Sequence, residues 1–160
     1  MNQKIQSRAA LARSNFMQGY GCAQSVLIAF SDLTGLDEKT SARLGSSFGG
    51  GMGRLREVCG GMTGAFAVLG LLCGYESPTD KEGKSRHYAD IRELARRFSE
   101  RNRGNSIICR KLLTGAGLSG ASGGEAEDRT DAYYKKRPCP DLVALAAEVL
   151  AEMLDEKGIL

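Results

Sequence analysis

The sequence predicts an all-α fold, a single-domain helical bundle with a central apolar helix and one long Gly/Ser-rich loop. Three observations carry this. Apolar residues recur at helical spacing in four separate stretches, and no run of four residues alternates as a strand. The third is the segment Val58 to Tyr75, eighteen residues without a charge, whose apolar strength concentrates between Ala65 and Leu72. At 160 residues the chain fits one domain, 1–160, large enough to bury a core without disulfide staples.

Taken in order, Ile5, Ala9, Ala12 and Phe16 form the first helical stripe, and Val26, Leu27, Phe30 and Leu33 the second. Asp37 is placed to cap a helix running through Ser41 and Leu44. Gly49-Gly50-Gly51-Met52-Gly53 cannot easily continue that helix and predicts an irregular connection with positive backbone dihedrals. The uncharged central helix follows, from Cys59 to Cys73. It is just long enough to suggest a membrane span, and Gly60 and Gly64 have the spacing of membrane helix pairs, but five glycines and the lack of an aromatic belt favour a buried helix. Tyr88, Ile91, Leu94 and Phe98 form the third stripe, with Glu93 and Arg97 four apart in the favourable polarity and Gly104 beyond its end. Leu142, Ala146, Val149 and Met153 form the fourth, opened by Pro138-Cys139-Pro140-Asp141 with proline in its first turn. Between the last two lies the segment 114–136, where Gly115, Gly117, Gly120, Gly123 and Gly124 alternate with Ala and Ser. It predicts a mobile loop.

Composition narrows the function. Lys and Arg number 22 against 19 Asp and Glu, a surplus too small to hold a nucleic-acid backbone, and the run Lys135-Lys136-Arg137 reads as a solvated loop. The N-terminus, MNQKIQSRAALARSNF, interrupts its apolar residues with Gln, Arg and Ser and lacks the apolar core of a secretory signal, so a cytoplasmic protein without a membrane span is expected. The glycine run matches neither phosphate-loop pattern, since Gly49, Gly51 and Arg54 break the GxGxxG spacing and no GK[ST] follows. His87 is the only histidine, which excludes histidine-rich metal sites; its place on a charged helix predicts exposure. Arg54 and Arg56 read either as positive charge near Cys59 or as plain surface.

Five cysteines, at 22, 59, 73, 109 and 139, are what the composition does not explain. In a reducing compartment, thiols at this density point to redox chemistry or metal binding. Cys22, Cys59, Cys109 and Cys139 each fall at a predicted helix start, where unpaired N–H groups and the helix dipole favour thiolate; Cys59 is expected to be the best activated. Cys73, at the far end of its helix, reads as a structural thiol. Gly60, Gly61 and Gly64 clear the first turn after Cys59 for a ligand, a second cysteine or a neighbouring helix. No CxxC is present, so any cysteine cluster has to be assembled by folding.

The order GCAQSVL, FGGGMGR, VCGGMTGA, IICRKLL and PCPDLV, from Gly21 to about Leu150, resembles the C_GCAxxG_C_C family of small redox-active cysteine proteins. The resemblance implies four family cysteines at Cys22, Cys59, Cys109 and Cys139, with Cys73 an extra. The family's Cys-Gly-Ala-x-x-Gly motif falls on Cys59 to Gly64, with Gly61 in the alanine position. Three functions follow from the residues. In the first, the protein is a thiol-disulfide oxidoreductase or electron-transfer protein needing no cofactor; Cys59 attacks, Cys139 or Cys22 resolves, and the partner is a redox protein or a small thiol. In the second, four thiolates hold zinc or an iron-sulfur cluster. In the third, the chain is a helical interaction module with structural cysteines. A homo-oligomer is compatible with each.

Overall fold

The structure is a computed structural model that describes residues 2–160. Helix α1 (Gln3–Met17) begins where the Asn2 side chain accepts from the Lys4 N–H, at 3.0 Å. Helix α2 (Cys22–Ala29) is opened by Gln24, whose side-chain oxygen accepts from the Gly21 N–H at 2.8 Å. It ends at Phe30, so the second stripe divides, and Leu33 lies on the short α3 (Ser31–Thr34). Asp37 caps α4 (Glu38–Gly45) through the Thr40 N–H at 2.7 Å. The glycine run forms α5 (Gly49–Met52), a turn of the opposite hand: φ is 66° at Gly50, 70° at Gly51 and 70° at Met52. Then come α6 (Gly60–Cys73), α7 (Lys81–Glu100), α8 (Cys109–Gly115), α9 (Asp131–Lys136) and α10 (Cys139–Glu156).

Helix α10 packs against α1, α2, α6 and α7, while α2 lies against α1, α4 and α6. Phe16, Leu27, Phe30, Met62, Leu69, Leu94, Phe98, Leu150 and Leu154 are fully buried where these helices meet, each contributing roughly 1.5–3 kcal/mol by burial. The expected central helix, α6, shares the centre with α10. It buries one stripe against α2 and α10 and leaves Leu71 50% exposed on its far side. Outside the core, α7 is tied to α10 by bidentate pairs, Arg97 with Glu156 and Arg101 with Glu152, at 2.7–2.9 Å.

Two departures from expectation bear on the site. The segment 114–136 is partly helical: α8 runs to Gly115, and α9 occupies Asp131–Lys136, capped by the Thr130 hydroxyl accepting from the Tyr133 N–H. The remaining stretch is held by side chains rather than by secondary structure. The chain also makes one isolated antiparallel bridge, Val58 with Ile108. No helix among the described residues is long and apolar enough to cross a membrane.

Glycine sets the position of α2. A Cβ on Gly64 would lie 2.8 Å from the Ala23 carbonyl, and one on Gly45 would lie 2.8 Å from the Gln24 nitrogen, so α2 is clamped backbone-to-backbone between α6 and α4. Gly64→Ala is therefore expected to cost about 1–3 kcal/mol of stability through overpacking. Gly70→Ala, on the same helix with His87 Nε2 at an ordinary 3.8 Å, should instead stabilise by up to about 1 kcal/mol through helix propensity. Thermal unfolding of the two variants checks the difference; equal effects would contradict the clamp.

Candidate functional site

Four stretches of backbone converge on one cavity of about 470 Å³, lined by Cys22, Cys59, Cys109 and Cys139 together. The Val58–Ile108 bridge joins two of them. Cys59 N–H donates to the Ile107 carbonyl at 2.7 Å and Cys109 N–H to the Glu57 carbonyl at 2.6 Å, which sets the starts of α6 and α8 side by side. Gly60 admits the third: its absent Cβ would fall 2.8 Å from Cys22 Cβ. Gly51 does the same for α8, since a Cβ there would fall 2.6 Å from Cys109 Cβ. Cys139 opens α10, with Pro140 in its first turn. All five cysteines are free thiols, and Cys73 lies apart at the end of α6, in a different concavity with His87 and Asp90.

The three glycines after Cys59 have separate places. Gly60 lines the cavity; Gly61 and Gly64 do not. Gly61 faces α10, where its Cβ would stand 3.2 Å from Ala146 Cβ, and Gly64 faces α2. Contact with a bound group at those two positions is replaced by helix packing.

Positive charge surrounds the sulfurs. Arg54, Arg56, Arg129 and Arg137 line the cavity, with Glu127 as its one carboxylate. Glu127 pairs with Arg137 at 2.6 Å and lies 3.9 Å from Arg54. Arg56 is only 3% exposed and makes no ion pair among the described residues; it donates to Cys109 Sγ at 3.8 Å and to the Ala121 carbonyl at 3.2 Å. It therefore lies beside Cys109 and not beside Cys59. Arg129 donates to the carbonyls of Phe16 and Tyr20, both at 3.0 Å, and lies over the Phe16 ring at 4.2 Å. Tyr133 is held between Arg129 and Arg137, whose guanidinium carbons are 5.1 and 4.9 Å from its ring. The strap from Gly120 to Arg129 runs along the cavity, which its residues Ala126, Glu127 and Arg129 line. Gly123 exchanges hydrogen bonds with Arg54 at 2.8 and 2.9 Å, and Arg110 donates to the Gly120 carbonyl at 3.3 Å.

Burial overturns the expected order of reactivity. A helix terminus supplies typically 0.3–1 kcal/mol, whereas full burial shifts a titrating group by as much as about 3–5 pH units. Cys59 is 6% exposed, and burial, reinforced by the charge on Cys139, pushes its thiol up to about 12. Burial also raises Cys109, against the opposing pull of Arg56. Cys22 is raised by its interaction with Cys139, with burial adding to this. Cys139 moves the other way, lowered to about 7, first by its interaction with Cys22 and then by the charge of Arg137. The surroundings of Cys139 therefore favour the charged form, while burial works against it at Cys59.

Sequence reasoning missed Arg129, Tyr133 and Arg137. Arg137 was expected in a solvated loop but is half-buried between Glu127 and Cys139; its adjacency to Pro138-Cys139 was the available signal. Nothing local marks Arg129, which reaches the site through backbone carbonyls more than a hundred residues away.

The family model described as "Putative redox-active protein (C_GCAxxG_C_C)" matches residues 20–153, and the chain belongs to this family. No curated protein matches the sequence. Among solved structures, the chain is similar in fold to one described as "A novel iron centre in the split-Soret cytochrome c from Desulfovibrio desulfuricans ATCC 27774". The TM-score is 0.61 at 16% identity, covering 98% of this chain and 71% of that one.

Selective alkylation measures the thiol order. Cys139 is expected to react first with iodoacetamide, its rate rising with pH to a plateau with a midpoint near 7, below the ordinary thiol value of about 8.5. Arg137→Gln, which removes a cation from beside the thiolate, should move the midpoint upward. First modification at Cys59 would refute this assignment.

Proposed function

From membership of that family, we propose that the chain is a redox protein whose working part is the four-cysteine cavity, and that two-electron chemistry runs through Cys139 and Cys22. The observation that carries this is geometric: α2 and α10 open onto one cavity, so that Cys22 and Cys139 line it together beside Arg137, and the two sulfurs shift each other's ionisation in opposite directions. It pairs a nucleophilic thiolate with a protonated resolving thiol, the arrangement thiol-disulfide exchange requires.

The Cys139 thiolate attacks one sulfur of a partner disulfide. The partner's S–S bond breaks, one half leaves as thiolate, and the other stays joined to Cys139. Cys22 then gives up its proton to solvent and attacks the Cys139 sulfur, expelling the second half as thiolate. A Cys22–Cys139 disulfide forms, two electrons pass to the partner, and one proton is released. Run backwards, the cycle oxidises two thiols. Arg137 and Arg129 hold charge on the attacking sulfur. Cys59 and Cys109, protonated by burial, form the inner wall. A reducing compartment, the cytoplasm, suits a protein that rests as free thiols.

A second reading is favoured by Arg56. A buried cation without a carboxylate is costly unless negative charge stands beside it, and an iron-sulfur cluster held by four thiolates carries net negative charge. Cys22, Cys59, Cys109 and Cys139 are the donor set that would hold it, and bound there it would supply one-electron transfer. Zinc fits less well, because no three His, Cys, Asp or Glu side chains among the described residues are placed to share one metal ion. The iron centre described for the cytochrome of similar fold accords with the cluster reading. A helical interaction module with structural cysteines leaves the buried guanidinium without a reason.

Peptide mapping after anaerobic oxidation with a small disulfide is expected to find a Cys22–Cys139 bond, lost in Cys22→Ser and Cys139→Ser while Cys59→Ser retains it. Four thiols still free after oxidation would eliminate the dithiol mechanism. For the cluster, anaerobic incubation with iron and sulfide should produce visible absorption that each of the four Cys→Ser changes diminishes and Cys73→Ser leaves intact; a colourless product would count that reading out.

A further inference from the structure

A second concavity, of about 540 Å³, adjoins the cysteine cavity and shares Leu112, Arg137 and Leu142 with it. Its floor is apolar, formed by Leu112, Leu142 and Leu145, and Pro138, the residue before Cys139, lies in its wall. Charge along the rim is uneven. Arg101 is satisfied by Glu152, and Asp141 is paired with Arg13. Arg103 and Lys136 are exposed, line the groove, and make no ion pair among the described residues. Arg137, like Arg101, is already paired, with Glu127, so Arg103 and Lys136 are the two cations of the groove left without a carboxylate among the described residues, and its own carboxylate, Asp141, is engaged.

We infer that this groove seats the redox partner of Cys139, and that the partner is a small disulfide bearing carboxylate groups. The inference rests on the dithiol reading. Arg103 and Lys136 supply the charges that a carboxylate seeks, and the leucine floor takes the aliphatic part. The volume falls within the range of small-molecule sites, about 300–1,000 Å³. Cys139 follows Pro138 in the chain and lines the adjoining cavity, so the seated ligand's S–S bond has to lie over the shared residues Arg137 and Leu142, where it is cleaved as above: the partner gains two electrons and leaves as two thiolates, and Cys22 and Cys139 become the disulfide.

Three disulfides of different charge test this at low ionic strength, where charge recognition is least screened: dithiodiglycolate, with two carboxylates; bis(2-hydroxyethyl) disulfide, neutral; and cystamine, with two ammonium groups. Oxidation of the protein is followed by loss of free thiol. Dithiodiglycolate is expected to react faster than the neutral reagent. Arg103→Glu with Lys136→Glu should lower that ratio by about tenfold or more and raise the ratio for cystamine, the neutral reagent serving as the reference that absorbs any change in the thiol itself. Lys135→Glu, a single charge reversal at a neighbouring residue outside the groove, should leave both ratios unchanged. If the neutral reagent oxidises the Cys22–Cys139 pair but the ratios ignore Arg103 and Lys136, or respond equally to Lys135, the groove assignment is wrong and the dithiol reading stands. If no reagent oxidises that pair, both fall together.

Discussion

Charge compensation inside the cysteine cavity is the constraint on which the rest of the molecule depends. Burying an ion costs several kcal/mol even after the protein relaxes, and Arg56 is buried with a sulfur and a carbonyl as its partners. The backbone leading to it adds strain. Met52, Arg54 and Arg56 all have φ between 61° and 70°, a conformation that costs about 1–2 kcal/mol for each residue with a Cβ. Glycines at 50, 51 and 53 let the turn form at all. Such a segment persists only where its surroundings over-determine it. Here the left-handed turn stands against α8, and the guanidiniums of Arg54 and Arg56 reach the strap, where the Gly123 and Ala121 carbonyls accept from them.

Burial gives the four thiols different parts. Had the helix starts decided, all would share one character. Desolvation instead disfavours charge on Cys59 and Cys109, while the interaction of Cys22 with Cys139 and the charge of Arg137 favour it on Cys139. Charge is thus favoured at one sulfur and disfavoured at three, a difference that suits the proposed two-electron exchange. Full ligation of a cluster needs four thiolates, so its binding releases protons, as metal binding by thiols does in general. The two readings of the site differ in their proton count as well as in their electrons.

Helix α10 couples the chemistry to the core. Its first residue is Cys139, the proposed nucleophile, and its body packs on α1, α2, α6 and α7, while the residues just before it, Arg137 and Pro138, lie between the cavity and the groove. Helix α2 plays the matching part for Cys22, clamped by Gly45 and Gly64 and brought close by Gly60. The relative position of the two central sulfurs therefore follows from close helix packing, which is stiff because interiors are packed as densely as crystals.

Much of this was written in local order. Helical periodicity, the Asp37 cap, the proline at the start of α10 and the glycine turn are short-range features, and each appears where the residues place it. The four helix-start cysteines were likewise readable, because a helix start depends on its own few residues. Tertiary structure alone decided which sulfurs meet, which of them ionises, and what lies above them. Gly61 and Gly64 could not be told from Gly60 by type, since their difference is which neighbour each one faces. Arg129 and Arg137 could not be told from surface cations, since a guanidinium acts on a thiol through distance and burial, and the residues that set both lie far apart along the chain.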